Sequence, residues 1–163
     1  MKDIVKEYPE CRLHILGDGD ERAESERLVE EYGLQKNVAF YGNIPRANLL
    51  KAVQECDAFV FPSLKEGAPW SLLEAMAFRK PIVAFDLNGM HDTLSSESAI
   101  LVNIDGMTPS ESRTEFYKGI KRLLELSDTE SCSMGAAAYK RLETVHSADG
   151  VKKYIKYIID GAL

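Results

Sequence analysis

The chain has 163 residues, 45% of them hydrophobic, and a formal net charge of −6 at pH 7. This length predicts about one domain with a hydrophobic core of its own. The negative charge argues against nucleic acid or an anionic membrane surface as the main partner, and no apolar run approaches the ~20 residues of a membrane-spanning helix.

The cysteines and the first residues predict a cytoplasmic protein. Cys11, Cys56 and Cys132 are far apart and form no Cys-x-x-Cys pair, so the sequence predicts neither a disulfide framework nor a zinc site. Three lone cysteines suit a reducing compartment. The opening stretch, MKDIVKEYPECR, is charged and lacks the apolar core of a signal peptide.

Short apolar strands alternate with helices up to residue 102. Strands are predicted at residues 12–16, 38–41, 58–61, 82–85 and 99–102, and helices at 21–32, 45–56, 69–78 and 91–94. This alternation, with strands that are apolar almost throughout, indicates an α/β fold with an open parallel sheet covered by helices on both faces. Such sheets bind ligands beyond the carboxyl ends of their strands, which here lead into loops at 17–20, 42–46, 62–69 and 86–91.

The remainder of the chain is predicted to be helical. Helices are expected at 114–126, 128–143 and 149–159, and the stretch NIDGMTPSES is interpreted as a loose connector. The sequence contains no internal repeat and no low-complexity segment. We therefore expect a single domain over residues 1–163.

A helix that starts at Pro69 creates a candidate anion site. Proline suits the first helical position because it has no N–H group to satisfy. The next N–H groups, those of Trp70, Ser71 and Leu72, would lack partners within the helix and lie at the positive end of its dipole. Such a helix end binds phosphate readily.

Two acids flank this helix start within an otherwise apolar segment, Glu66 in the preceding loop and Glu74 inside the helix. Carboxylates accept hydrogen bonds from hydroxyl groups, so a ligand with a central phosphate and hydroxyl-rich groups on both sides would fit. The stripe that packs on the sheet would be formed by Leu72, Leu73, Met76 and Ala77, which places Glu74 on a different face. By spacing alone, a solvated Glu74 and an ordinary surface Glu66 are the more frequent arrangement.

Several motifs, in order, resemble one enzyme family. The stretch PSLKEGAPWSLLEAMAFRKPIVAFDLNG resembles the Glu-x7-Glu signature of the group 1 (family 4-like) glycosyltransferases, which have the GT-B fold. CRLHILGDGDER and NVAFYGNIPRANLLKAVQECDAFVFPS resemble the segments that precede this signature, and SAILV resembles the strand that follows it. The resemblance covers about residues 9–102 and continues more loosely to the end. It implies one Rossmann-like half of a GT-B enzyme with a helical C-terminal segment.

The resemblance also implies roles for individual residues in binding a nucleoside-diphosphate sugar, the donor. Glu74 would hold the ribose hydroxyls, and Glu66 would be the catalytic residue beside the donor sugar, in a transfer that retains the anomeric configuration. The other positions are Gly67 and Ala68 along the sugar, Ser71, Leu72 and Leu73 at the diphosphate, Gly17 close to the donor, and Gly42, Asn43 and Arg46 at the base. No metal ion and no cofactor are implied, since the donor itself is a substrate.

The same resemblance implies that the chain is part of a larger enzyme. GT-B enzymes have two halves, and this chain would be the C-terminal, donor-binding half, truncated at its N-terminal side. The acceptor would then bind to an absent N-terminal half. On this hypothesis the chain by itself has little or no transferase activity, and any contact with the inner face of a membrane would be made by the absent half.

Two other functions stay open from the sequence. One is a sugar-nucleotide epimerase of GT-B fold, and the other is a flavodoxin-like binding or receiver module without catalysis. A receiver needs an acidic cluster at its strand ends, and only Asp86 fits. Near the predicted site, His91 could reach a donor phosphate or lie solvated at the surface, and Trp70 could stack on a sugar or base or pack at the helix start.

Overall fold

The computed structural model describes residues 1–64, 70–87, 90–145 and Lys156. The chain divides into two compact units, Met1–Leu49 and Leu50–Leu163. Parallel strands alternate with helices in both, so the predicted α/β class is confirmed. The ladders group the strands into two sheets, one per unit, and the prediction of a single domain stays a prediction.

The first unit contains two parallel strands. Its elements are α1 (Lys2–Glu7), β1 (Leu13–Leu16), α2 (Arg22–Glu31) and β2 (Val38–Gly42). Leu13 pairs with Val38, so the carboxyl ends of β1 and β2 lie at the same edge of this sheet. The Asn37 side chain fixes the approach to β1, because its amide donates to the carbonyls of Pro9 at 2.8 Å and Cys11 at 2.9 Å.

Helix α2 ends at Gly33, as the sequence predicts. Gly33 has φ +66°, a left-handed conformation that glycine adopts without steric cost. The N–H of Gly33 donates to the carbonyl of Glu30 at 3.1 Å, and the N–H of Leu34 donates to that of Val29 at 2.9 Å. This pair of bonds is a Schellman motif. The motif ends α2 and buries Leu34 just before β2 begins.

The second unit holds a three-stranded parallel sheet with its middle strand fully covered. The boundary between the units falls within α3 (Arg46–Glu55). The elements that follow are β3 (Phe59–Phe61), α4 (Trp70–Ala77), β4 (Ile82–Phe85), α5 (Met90–Thr93), β5 (Ile100–Val102), α6 (Pro109–Leu124) and α7 (Asp128–Val145). The strand order is β3-β4-β5, with Phe61 paired with Ala84 and Phe85 paired with Val102.

Strand β4 is buried on both of its faces. Val83 and Phe85 point to one face, where they belong to a cluster of buried side chains that includes residues of α6. Ile82 and Ala84 point to the other face and are fully buried as well. The continuous apolar run that predicted this strand therefore reflects cover on both sides.

Helix α6 packs closely on this sheet because a glycine faces it. A Cβ added at Gly119 would lie 2.7 Å from a methyl carbon of Val102 and 3.0 Å from one of Val83. Nearby, the rings of Phe85 and Phe116 have centroids 4.3 Å apart. A larger residue at position 119 would force the helix away from the strands.

The predicted start of α6 at residue 114 is wrong, and so is the loose connector before it. The helix begins at Pro109, where Thr108 and Glu111 form a capping box. The Thr108 N–H donates to the Glu111 carboxylate at 2.8 Å, and the Glu111 N–H donates to the Thr108 hydroxyl at 3.3 Å. Thr-Pro-Ser-Glu thus carries a cap, a proline at the first turn and an acid at the third helical position.

The last predicted elements have different outcomes. Helix α7 is confirmed and extends slightly further than expected, to Val145. The helix predicted at 149–159 lies outside the described residues apart from Lys156. Within the described part of the chain, no helix combines the length and the apolar character that a bilayer crossing requires.

Candidate functional site

In the second unit, the candidate site lies at the carboxyl edge of the three-stranded sheet. Because β3 and β4 are parallel neighbours, the loops that follow them leave from the same edge. The loop after β3 leads to Trp70 at the start of α4, and the loop after β4 begins with Asp86. Trp70 is 52% exposed, and Ser71 beside it is exposed too, so α4 starts in solvent.

Helix α4 becomes fully buried within one turn of this start. Every residue from Leu72 to Ala77 is buried, including Glu74, which is only 3% exposed. The expectation of a single packing stripe is therefore wrong, and so is the interpretation that Glu74 lies on a solvated face. Burying a carboxylate costs on the order of several kcal/mol unless hydrogen bonds or opposite charges compensate for the lost hydration. A carboxylate buried this deeply at the carboxyl edge of a parallel sheet is a candidate functional group.

The structure places the predicted diphosphate-binding residues consecutively at the start of α4. Ser71 and Leu72 lie in its first turn, where N–H groups have no carbonyl partner within the helix, and Leu73 follows them as the fourth helical residue. The helix dipole adds positive potential there. The predicted catalytic Glu66, with Gly67 and Ala68, lies outside the described residues.

In the first unit, the structure brings two predicted site residues together. The N–H of Gly17 donates to the carbonyl of Gly42 at 2.8 Å, which joins the carboxyl ends of β1 and β2. Gly17 has φ +117° and Gly42 has φ +63°, conformations that favour glycine. Asn43 and Arg46 follow directly and are both exposed.

Arg22 belongs to this edge and is absent from the predicted site. Its Nε donates to Glu26 at 2.8 Å and its Nη1 to Asp18 at 3.3 Å. The hydrogen bond that Arg22 donates to Glu26, with the charges of both acids, raises the pKa of Arg22 above its usual value. A Cβ at Gly42 would lie 2.7 Å from Nη1, so the guanidinium rests against Gly42. The four-residue spacing of Asp18, Arg22 and Glu26 is the signal that could have revealed this network.

The side chains of Asp86 and His91 are hydrogen-bonded where β4 ends. Nε2 of His91 lies 2.8 Å from Oδ1 of Asp86. The Asp86 side chain is 14% exposed and the His91 side chain 71% exposed, so the acid is set into the protein and the imidazole projects from it. The sequence placed both residues in one loop but did not predict their pairing.

Arg141 of α7 holds the backbone of His91 in place. Its Nε donates to the carbonyl of Thr93 at 3.0 Å, and its Nη2 donates to the carbonyl of His91. The short helix α5 is thereby tied to α7. Among the described residues, no group of three or more His, Cys, Asp or Glu side chains is arranged to hold a metal ion.

Comparison with known proteins gives one family. The family model described as glycosyl transferases group 1 matches residues 1–141. An uncharacterized glycosyltransferase of Methanocaldococcus jannaschii is 33% identical over 106 residues, which is 64% of this chain and 26% of that protein. The chain thus spans about a quarter of the length of this relative.

Solved glycosyltransferase structures share the fold. The pneumococcal O-GlcNAc transferase GtfA, solved with UDP and GlcNAc, matches with a TM-score of 0.78 at 17% identity, covering 98% of this chain and 31% of that one. The C-terminal domain of a group 1 family protein (LpcC) from Francisella tularensis matches with a TM-score of 0.70 at 24% identity, covering 89% and 74%. With residues 1–141 matched by the family model, this chain belongs to the glycosyl transferases of group 1.

Proposed function

We propose that this chain is the donor-binding part of a retaining glycosyltransferase, which holds a nucleoside-diphosphate sugar and passes the sugar to a glycan or another acceptor. The observation that carries the proposal is the burial of Glu74, one turn inside a helix whose start is open to solvent. Family membership and the likeness to a separately crystallised C-terminal domain support it.

In this proposal, different residues bind the diphosphate, the ribose, the sugar and the base of the donor. The start of α4 binds the diphosphate, and Glu74 accepts hydrogen bonds from the ribose hydroxyls. Glu66 lies beside the sugar, with the backbone of Gly67 and Ala68. For the base, the proposed residues are those that the family resemblance implies, Gly17, Gly42, Asn43 and Arg46.

The reaction replaces one bond at the anomeric carbon with another on the same face. The bond from this carbon to the phosphate oxygen breaks, and its electron pair stays on the phosphate. The acceptor oxygen forms the new bond and passes its proton to the departing phosphate oxygen. The amides and dipole at the start of α4 would stabilise the charge on the leaving diphosphate, and the proposal includes no metal ion.

The proposal extends to what the chain does alone. The acceptor would bind to a further domain, so the isolated chain would transfer no sugar at an ordinary enzymatic rate. Cys11, Cys56 and Cys132 are all free thiols, which suits a cytoplasmic enzyme.

Binding measurements on the purified chain test this function. We expect at least one of UDP-glucose, UDP-GlcNAc, GDP-mannose and ADP-glucose to bind in calorimetry. Glu74→Gln should weaken that binding about tenfold or more, since it removes a charged hydrogen-bond acceptor. Glu143→Gln, at an exposed position on α7, is the matched control and should bind as the unaltered chain does.

The outcomes separate the candidate functions. Binding that is lost in Glu74→Gln but retained in Glu143→Gln, with both variants folded by circular dichroism, supports the proposal. Failure of every nucleotide sugar to bind, or equal binding by both variants, would overturn it. The family match already favours glycosyl transfer over the epimerase and the receiver module.

A further inference from the structure

The Asp86–His91 pair is held at the sheet edge by both backbone and side-chain hydrogen bonds. The N–H of Asp86 continues the ladder of β4, donating to the carbonyl of Val102 at 2.8 Å. Its carboxylate, only 14% exposed, receives Nε2 of His91. Because an ionised carboxylate can only accept, the hydrogen in this contact belongs to Nε2.

This contact leaves the other ring nitrogen for a ligand. The imidazole is 71% exposed, and among the described residues Nδ1 of His91 has no hydrogen-bond partner. Arg141 fixes the backbone on the far side through the carbonyls of His91 and Thr93. The ring is therefore positioned by β4, α5 and α7 together, and it is largely exposed to solvent.

The location of the pair gives the class of ligand. β4 neighbours β3, and α4 begins at the end of the loop that follows β3, so His91 and the start of α4 belong to the same edge of the sheet. A ligand group that bridges them faces backbone N–H groups on one side and an imidazole on the other. Phosphate is the group that such donors favour.

We propose that His91, oriented by Asp86, is a further donor-binding residue whose Nδ1–H donates to the phosphate that remains on the nucleotide when the sugar leaves. The inference rests on the proposed function. With both ring nitrogens donating, the imidazole is positively charged in the complex, between Asp86 and the phosphate. When the bond to the sugar breaks, the electron pair goes to the phosphate oxygen and His91 keeps both of its protons.

The test compares nucleoside diphosphates with the corresponding monophosphates. The chain is titrated by calorimetry with UDP, GDP, ADP, CDP and dTDP, and the tightest binder is paired with its monophosphate. His91→Gln should weaken diphosphate binding about tenfold or more, which is the effect of losing one charged hydrogen bond. It should leave monophosphate binding within twofold. His91→Lys keeps a cation and should retain most of the diphosphate affinity.

His14→Gln is the matched control, because His14 is an exposed histidine on β1. It should change neither affinity. If the unaltered chain binds a diphosphate and His91→Gln leaves the ratio of the two affinities unchanged, or lowers both equally, the role of His91 is overturned while the proposed function stands. If no diphosphate binds to the unaltered chain, the proposed function and this inference fail together.

Discussion

Gly135 of α7 lies directly against the backbone of Arg79, at the end of α4. A Cβ added at Gly135 would be 2.0 Å from the carbonyl oxygen of Arg79 and 2.8 Å from its carbonyl carbon. Both contacts are with backbone, which cannot move aside as a flexible side chain can. Glycine at this position is therefore what lets α7 approach the helix that carries Glu74.

Gly135→Ala is expected to destabilise the chain by about 1–3 kcal/mol, the usual range for overpacking, or by more. In an unobstructed helix the same change would instead gain about 1 kcal/mol. Urea unfolding followed by circular dichroism measures the difference. Ser133→Ala, at an exposed position on the same helix, is the control and should be neutral or slightly stabilising. A Gly135→Ala variant as stable as the unaltered chain would contradict the close contact.

Arg79 combines backbone strain with a favourable side-chain contact. It has φ +55°, which is unusual for a residue with a Cβ. Its guanidinium carbon lies 4.6 Å from the centre of the Tyr139 ring. Arg79→Ala keeps the strain and loses the cation–π contact, so we expect a loss of about 0.5–1 kcal/mol.

Arg79→Gly is the informative partner of that variant. Glycine removes the left-handed penalty, so Arg79→Gly should be more stable than Arg79→Ala by about 1 kcal/mol. Chemical denaturation of the two variants in parallel gives this difference directly. Equal stability of the two would show that the backbone at residue 79 is not strained.

Ser127 and Glu130 form a second capping box at the start of α7, like that of Thr108 and Glu111 at the start of α6. The two boxes should make part of the stability sensitive to acid. Glu111 and Glu130 accept hydrogen bonds from Thr108 and Ser127, which lower the pKa of each carboxyl group below its usual value. Because the folded-state pKa is lowered, each ionised carboxylate adds to the free energy of unfolding at pH values above its unfolded-state pKa. This stabilisation is lost as the pH falls through the folded-state pKa.

The double variant Glu111→Gln/Glu130→Gln keeps side chains that can complete a capping box but removes their charge. The unaltered chain should therefore melt at a higher temperature than the variant near neutral pH, and the gap should close in acid. Thermal unfolding at about pH 7 and about pH 3 measures it. Thr108→Ala should narrow the gap as well, because the Thr108 hydroxyl donates to the Glu111 carboxylate at 2.7 Å. A gap that widened in acid would contradict the sign.

Trp70 provides an optical readout of the proposed donor site. It is the single tryptophan of the chain and stands half-exposed at the start of α4. If a nucleotide sugar binds there, the indole environment changes, and its emission should shift or be quenched on titration. The dissociation constant from fluorescence should agree with that from calorimetry, and Trp70→Phe should abolish the signal. Binding seen by calorimetry without any change in emission would place the ligand elsewhere.

Much of the fold was predictable because the signals are local. Strand β4 was predicted with the bounds that the structure shows, since its apolar run is interrupted sharply at both ends. The end of α2 at Gly33 and the start of α6 at Thr108 are also local, although the second signal was misread as a connector. The order of motifs was enough to indicate the family.

The candidate site was predictable only in part. The sequence marked the start of α4 and the glycines at the ends of β1 and β2, because helix starts and left-handed turns are encoded by neighbouring residues. It could not show that Glu74 is buried, since periodicity describes one helix and burial depends on every element around it. It also paired neither Asp86 with His91 nor Gly135 with Arg79, contacts made by the path of the chain through space.

The sequence by itself determined the α/β class, the order of the elements and the family, because propensities, turn residues and motif order are properties of short segments. Only the tertiary structure decided which polar side chains are buried and which residues they contact. Both outcomes depend on packing between residues that are distant in the chain.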